Sequence, residues 1–108
     1  MPQLIMRGVA KEDVKKLSTL LVDGLQEIVG CPRDYFTLEV MESTFIFDAA
    51  EVKGTPLIQV NWFDRGQEVQ DKAARVIDTC LRQIGYEHVE IFFIPLRENN
   101  YYENGRHY

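Results

Sequence analysis

The residue best placed to do chemistry in this chain is its second. Pro2 follows Met1 directly, and removing a methionine ahead of so small a residue leaves proline with a free secondary amine. An ordinary α-amino group titrates near ~8. Partial burial or a neighbouring cation lowers that value, because both disfavour the charged form. A neutral amine can take a proton from a carbon beside a carbonyl and return it elsewhere, the basis of keto–enol and 1,3-allylic shifts. Pro56 cannot act in this way, because its nitrogen is an internal amide. With Met1 attached, Pro2 is equally without a basic lone pair.

The remaining reactive residues form no familiar constellation. His88 and His107 are the only histidines and lack metal-ligand spacing, so no zinc site is expected. Cys31 and Cys80 form no C-x-x-C pair, which argues against a disulfide framework and points to a reducing cytosol. Cys80 falls on an apolar helical stripe and reads as core packing, and Cys31 as unreactive. There is no glycine-rich phosphate loop and no nucleophile elbow. Glu39 and Glu42 read as facing solvent or a subunit boundary rather than as an acid/base pair.

The elements that must position Pro2 follow from punctuation and period. Pro2 to Arg7 reads as a short strand ended by Gly8. A helix follows from Lys11 to Val29, with Val14, Leu17, Leu21, Leu25 and Ile28 at three- and four-residue steps. Glu12 and Asp13 suit its first turn, and Gly30 and Pro32 stop it. Tyr35 to Asp48 reads as one long or bent strand, and Ala49 to Thr55 as a connector. Leu57 to Phe63 is the next strand. Gln67 to Ile84 is a second helix closed by Gly85, and Val89 to Leu96 is the last strand. The tail from Arg97 to Tyr108 shows no period, and its tyrosines are expected to dock on a neighbouring subunit.

The two halves echo one another. Pro2 and Pro56 open them, Arg7-Gly8 and Arg65-Gly66 leave the matching strands, and Gly30 and Gly85 close the helices. Such a pattern suggests duplication of a β-α-β unit. The expectation is a single α+β domain, a two-layer α/β sandwich with a four-stranded sheet and both helices on one face. Its units span residues 1–48 and 56–96, followed by the tail at 97–108. Apolar residues on both parities of the strands suggest that another subunit covers the second face.

The chain has 108 residues, enough for one domain, and carries a formal net charge of −5. That charge argues against nucleic acid or an anionic membrane as partner. The start lacks a secretory h-region, and no apolar run approaches a bilayer span.

Two β-α-β units with Met-Pro at the start resemble the tautomerase superfamily, which includes oxalocrotonate tautomerase and macrophage migration inhibitory factor. Gly30-Cys31-Pro32-Arg33-Asp34-Tyr35 and Val89-Glu90-Ile91-Phe92 are similar to segments of the inhibitory-factor branch. Val60-Asn61-Trp62-Phe63-Asp64-Arg65 and Tyr101-Tyr102-Glu103-Asn104-Gly105 resemble an uncharacterised bacterial branch more closely. The resemblance implies a homotrimer with active sites between subunits, the mature proline as general base, and no cofactor. In the family's sheet the first and third strands are antiparallel neighbours, which puts Trp62, Phe63, Asp64 and Arg65 near Pro2. The second and last strands bring Arg33 and Arg97 to the same end, and Arg7 falls at the far end.

Arg65, helped by Arg33 and with Arg97 as a further candidate, is thereby expected to hold a substrate carboxylate in a planar bidentate fork. Trp62 and Phe63 would form the apolar wall. The implied activity is a tautomerase or isomerase acting on a small keto or enol carboxylic acid. Dehalogenation or decarboxylation would use the same base. This chain also departs from the inhibitory factor. Cys31 stands where that branch has lysine, and Glu90 and Phe92 where it has tyrosine and asparagine, so a phenylpyruvate-type activity does not carry over. The alternative is a trimer that keeps the fold for ligand binding or protein contact without catalysis.

Overall fold

Strict alternation in two strands decides where the core lies. A computed structural model describes residues 2–108, so the expected removal of Met1 concerns a residue outside that range. Strand β1 (Gln3–Arg7) buries Leu4 and Met6, and β5 (Leu57–Phe63) buries Ile58, Val60 and Trp62. Successive strand residues point to opposite faces, so these five share one side of the sheet. Helix α1 (Lys11–Val29) lays Val14, Leu17, Leu21 and Leu25 on that side, and α2 (Gln67–Gln83) adds Ala73, Ile77, Cys80 and Leu81. Both helices therefore cover one face, as the stripes require. They approach closely where Gly24 meets Val76, since a Cβ on Gly24 would stand 2.9 Å from a Val76 methyl.

The main sheet has the order β2-β1-β5-β6, with β2 at Thr37–Val40 and β6 at Glu90–Leu96. β1 pairs parallel with β2 and antiparallel with β5, and β5 pairs parallel with β6. The arrangement is that of the tautomerase and macrophage migration inhibitory factor fold. The echoed glycines all have positive φ, at 75°, 90°, 80° and 106° for Gly8, Gly66, Gly30 and Gly85, although ψ is 13° at Gly30 and 162° at Gly66.

Two segments differ from their sequence reading. The expected long strand from Tyr35 to Asp48 is broken into a 3-10 turn (Arg33–Tyr35), β2 and a separate β3 (Phe45–Phe47). The break has a clear cause. β2 has only β1 to pair with on its inner side, and β1 ends at Arg7 before Gly8. The Met41 N–H bond to the Met6 carbonyl, at 2.9 Å, is the last between them. The expected connector contains β4 (Ala50–Val52), which forms an antiparallel hairpin with β3 through Asp48 and Ala49 at φ 52° and 64°.

The tail, read as aperiodic, forms a 3-10 turn (Glu98–Asn100) and a hairpin of β7 (Tyr102–Glu103) and β8 (Arg106–His107). Its turn is Asn104-Gly105, both residues at positive φ as a tight hairpin demands. Tyr101 and Tyr108, expected to dock on a neighbour, pack against Phe63 of their own chain, while Tyr102 is exposed.

Candidate functional site at the start of the first strand

Pro2 enters the sheet one residue ahead of β1, and its ring is fully buried. Its carbonyl accepts the Thr37 N–H at 3.1 Å, tying it to β2. On the other side Gln3 is in register with Asn61, so Trp62 and Phe63 extend past the start of β1. Trp62 is 1% exposed and packs on Phe93 at 4.9 Å between ring centroids. It shares the helix-facing side with Leu4 and Met6, and its indole N–H meets no acceptor among the described residues.

Arg65 is drawn to the same end. Its guanidinium carbon lies 5.6 Å from the Trp62 ring centroid, a cation–π separation, and it donates to the Phe63 carbonyl at 2.6 Å. No carboxylate pairs with it among the described residues. Arg33 starts its 3-10 turn at the same end but is turned onto α1. It pairs with Asp23 at 3.1 Å and also donates to the Thr19 carbonyl at 3.4 Å. An exposed pair of this kind is worth about 0–1 kcal/mol, so the guanidinium is held loosely. Arg97 is exposed where the chain leaves β6.

Phe63 is on the face away from the helices, where it joins an aromatic triangle. Its centroid lies 5.6 Å from Tyr101 and 5.4 Å from Tyr108, and the two tyrosines are 5.3 Å apart. Desolvation, and then the hydrogen bond it donates to Glu103, hold the Tyr108 phenol above its ordinary range. Burial likewise pushes the Cys80 thiol up, in keeping with a packing role.

The same open face carries a line of polar side chains that the sequence reading passed over. Arg7 donates to Gln59 at 3.3 Å, and Gln59 to Asn61 at 3.0 Å. Asn61 donates to Gln3 at 3.4 Å, and Gln3 to the Tyr101 hydroxyl at 2.9 Å. The alternation of Gln3, Ile5 and Arg7 with Leu4 and Met6 was the available signal.

Elsewhere, a hollow of about 590 Å³ lies between the helices, lined by Leu20, Asp23, Gly24, Lys72 and Val76 among others. It includes none of the residues around Pro2. Among the described residues no three His, Cys, Asp or Glu side chains cluster as metal ligands. No helix of these residues is long and apolar enough to cross a membrane.

A family model described as "Domain of unknown function (DUF1904)" matches residues 1–107. The crystal structure of a DUF1904 domain from Sebaldella termitidis is 44% identical, with 100% of each chain covered and a TM-score of 0.93. A Vibrio cholerae protein of unknown function is 31% identical over 99% of this chain and 87% of its own, with a TM-score of 0.88. At the level of fold alone, the macrophage migration inhibitory factor-like protein of Entamoeba histolytica superposes with a TM-score of 0.74. It is 18% identical over 99% of this chain and 98% of that one. No curated protein matches the chain.

Proposed function

This chain belongs to the DUF1904 family, and on that premise we propose that it is a cofactor-independent tautomerase or isomerase with Pro2 as its general base. Its substrate class is a small keto or enol carboxylic acid. With Met1 removed, the Pro2 amine takes a proton from the carbon beside the carbonyl. The C–H bond breaks, an N–H bond forms, and the electron pair moves towards the carbonyl oxygen as an enolate. The protonated amine then returns its proton to a different atom of the substrate. Arg65 holds the carboxylate, with Arg97 or a released Arg33 as second cation. Phe63 supplies apolar wall on the open face, and Trp62 backs it from the core.

One observation carries this reading: an arginine free of any described carboxylate lies over Trp62, at the strand end where Pro2 is buried. We propose further that the protein works as a homotrimer. In support, Phe92 and Ile94 are about two-fifths exposed on the sheet face without helices, at 40% and 38%, and Ile46 and Phe47 are 70% and 74% exposed on the β3–β4 hairpin. Fused 4-OT proteins of similar fold, 11% and 13% identical, form asymmetric trimers.

A covalent probe tests the base directly. Pt0534, a protein of similar fold at 12% identity and a TM-score of 0.75, is inactivated by 2-oxo-3-pentynoate. A free Pro2 amine would add to the alkyne of that reagent, forming an N–C bond while the nitrogen's proton passes to the neighbouring carbon. The expected result is a mass gain equal to the whole reagent, located on Pro2 by peptide mapping. Intact mass of untagged protein from its own host must also lack Met1. Retained Met1, or unchanged ketoacid turnover after Pro2→Ala, would refute Pro2 as the base; a parent protein that turns over no ketoacid and takes up no reagent would leave the non-catalytic reading in its place.

A further inference from the structure

Resting on that reading, we propose that Tyr101 is a second catalytic residue: it donates a hydrogen bond to the substrate's carbonyl oxygen as negative charge develops there. The polar line on the open face fixes it in that role. A guanidinium has five donors and no acceptor, so Arg7 can only donate to the Gln59 side-chain oxygen. That choice orients every amide after it. The Gln59 amino group must donate to Asn61, the Asn61 amino group to Gln3, and the Gln3 amino group to Tyr101. The line ends with the Tyr101 oxygen as an acceptor, and none of the described residues accepts its proton.

No group among the described residues of its own chain takes that proton, which leaves it for a ligand at the strand end. A hydroxyl that accepts one hydrogen bond becomes a stronger donor of the next, because linked bonds polarise one another. The Tyr101 ring is half-buried and lies edge-on to both Phe63 and Tyr108, which fixes its direction. Gln3 holds it and also immediately follows Pro2 in the chain, so donor and base are registered to the same strand end. A 2-oxo acid could then place its carboxylate on Arg65 and its 2-oxo oxygen on Tyr101. When the proton on carbon 3 passes to Pro2, the new C=C bond sends charge to that oxygen. The phenol hydrogen bond shortens without transferring its proton. Such donors act on the transition state more than on the bound substrate. Gln3 is a positioning residue in this arrangement.

The test is deuterium exchange at carbon 3 of a panel of 2-oxo acids, followed by proton NMR, with oxalate binding as a readout independent of turnover. Oxalate copies the planar dianionic shape of a pyruvate enolate. Tyr101→Phe keeps the ring and is expected to lower kcat by about 100-fold with little change in KM. It should also weaken oxalate binding. Gln3→Glu is expected to capture the phenol proton and impose a comparable loss, while Gln3→Met leaves the proton free and retains more activity. Full kcat and unchanged oxalate affinity in Tyr101→Phe, with Pro2→Ala still inactive, would overturn the Tyr101 role and leave the proline reading standing. Exchange that persists unchanged when Met1 is retained, which makes the Pro2 nitrogen an amide, would overturn the proline reading instead, and with it this inference. A parent protein that neither exchanges any of the acids nor binds oxalate refutes both.

Discussion

The aromatic triangle offers a quantitative check on how the tail is attached. Phe63, Tyr101 and Tyr108 make three ring pairs with centroids 5.3–5.6 Å apart, two edge-on and one tilted. Each such pair contributes about 0.5–1.5 kcal/mol beyond its buried area. Tyr108→Leu removes two of the three, so a loss of roughly 1–3 kcal/mol is expected. Its hydrogen bond to Glu103, at 3.2 Å on the surface, adds little. Phe63→Leu also removes two pairs, and the two substitutions share only the Phe63–Tyr108 pair. A double-mutant cycle should therefore give a coupling of about 0.5–1.5 kcal/mol. Urea unfolding at one fixed protein concentration measures it, since self-association would otherwise shift apparent stability. A coupling below about 0.3 kcal/mol, the additivity limit for residues not in contact, would refute the packing of the tail on Phe63.

Three further outcomes are expected from the same unfolding measurement. Gly8 and Gly30 have φ of 75° and 80°, but a Cβ on Gly8 would run into the Thr55 carbonyl, whereas Gly30 has open space around it. Gly30→Ala should cost about 1–2 kcal/mol from backbone strain, and Gly8→Ala about 1–3 kcal/mol more from the clash; equal losses would refute the close approach. Trp62→Phe should cost under about 1.5 kcal/mol, because the lost ring area is offset by removing a buried N–H without an acceptor. Desolvation first, and then the hydrogen bond to Asp13, raise the Tyr86 phenol above its unfolded value. Its contribution is complete below about pH 10 and is lost as pH rises through the raised value, so Tyr86→Phe should flatten part of the alkaline decline.

What the sequence disclosed and what it concealed follow from the range of the signals. The helices carry their own period over nearly twenty residues, and α1 spans Lys11–Val29 as its stripe and its stop residues indicate. β1 and β5 were legible because burial alternates in them without a break. The β3–β4 hairpin was not, because its positive-φ turn is Asp48-Ala49, and alanine gives no warning of a left-handed conformation. The β7–β8 hairpin was announced by Asn104-Gly105, a strong turn dipeptide whose flanking strands are only two residues long. Arg33 shows a different limit. Topology brings its backbone to the Pro2 end, but the side chain's choice of Asp23 depends on how α1 is rotated, which no local pattern in the sequence records.

Consecutive residues at the head of β1 divide the work of the site between two faces. The Pro2 ring is buried, and its neighbour Gln3 reaches the open face. The proposed base is thus a main-chain nitrogen held by the sheet itself, through Thr37 on one side and the Asn61 register on the other. It has no rotamer to lose and no side-chain freedom with which to adapt. The proposed donor is the opposite case, since Tyr101 is delivered by the tail and fixed by a hydrogen-bond line and two rings. Changes in the tail can therefore move the donor, and with it the substrate accepted, while the base keeps its place. Changes to the core beneath Trp62 act the other way, moving base and Arg65 together. Substrate range should accordingly respond to residues 101–108 more than to any in the helices, although the helices supply most of the core.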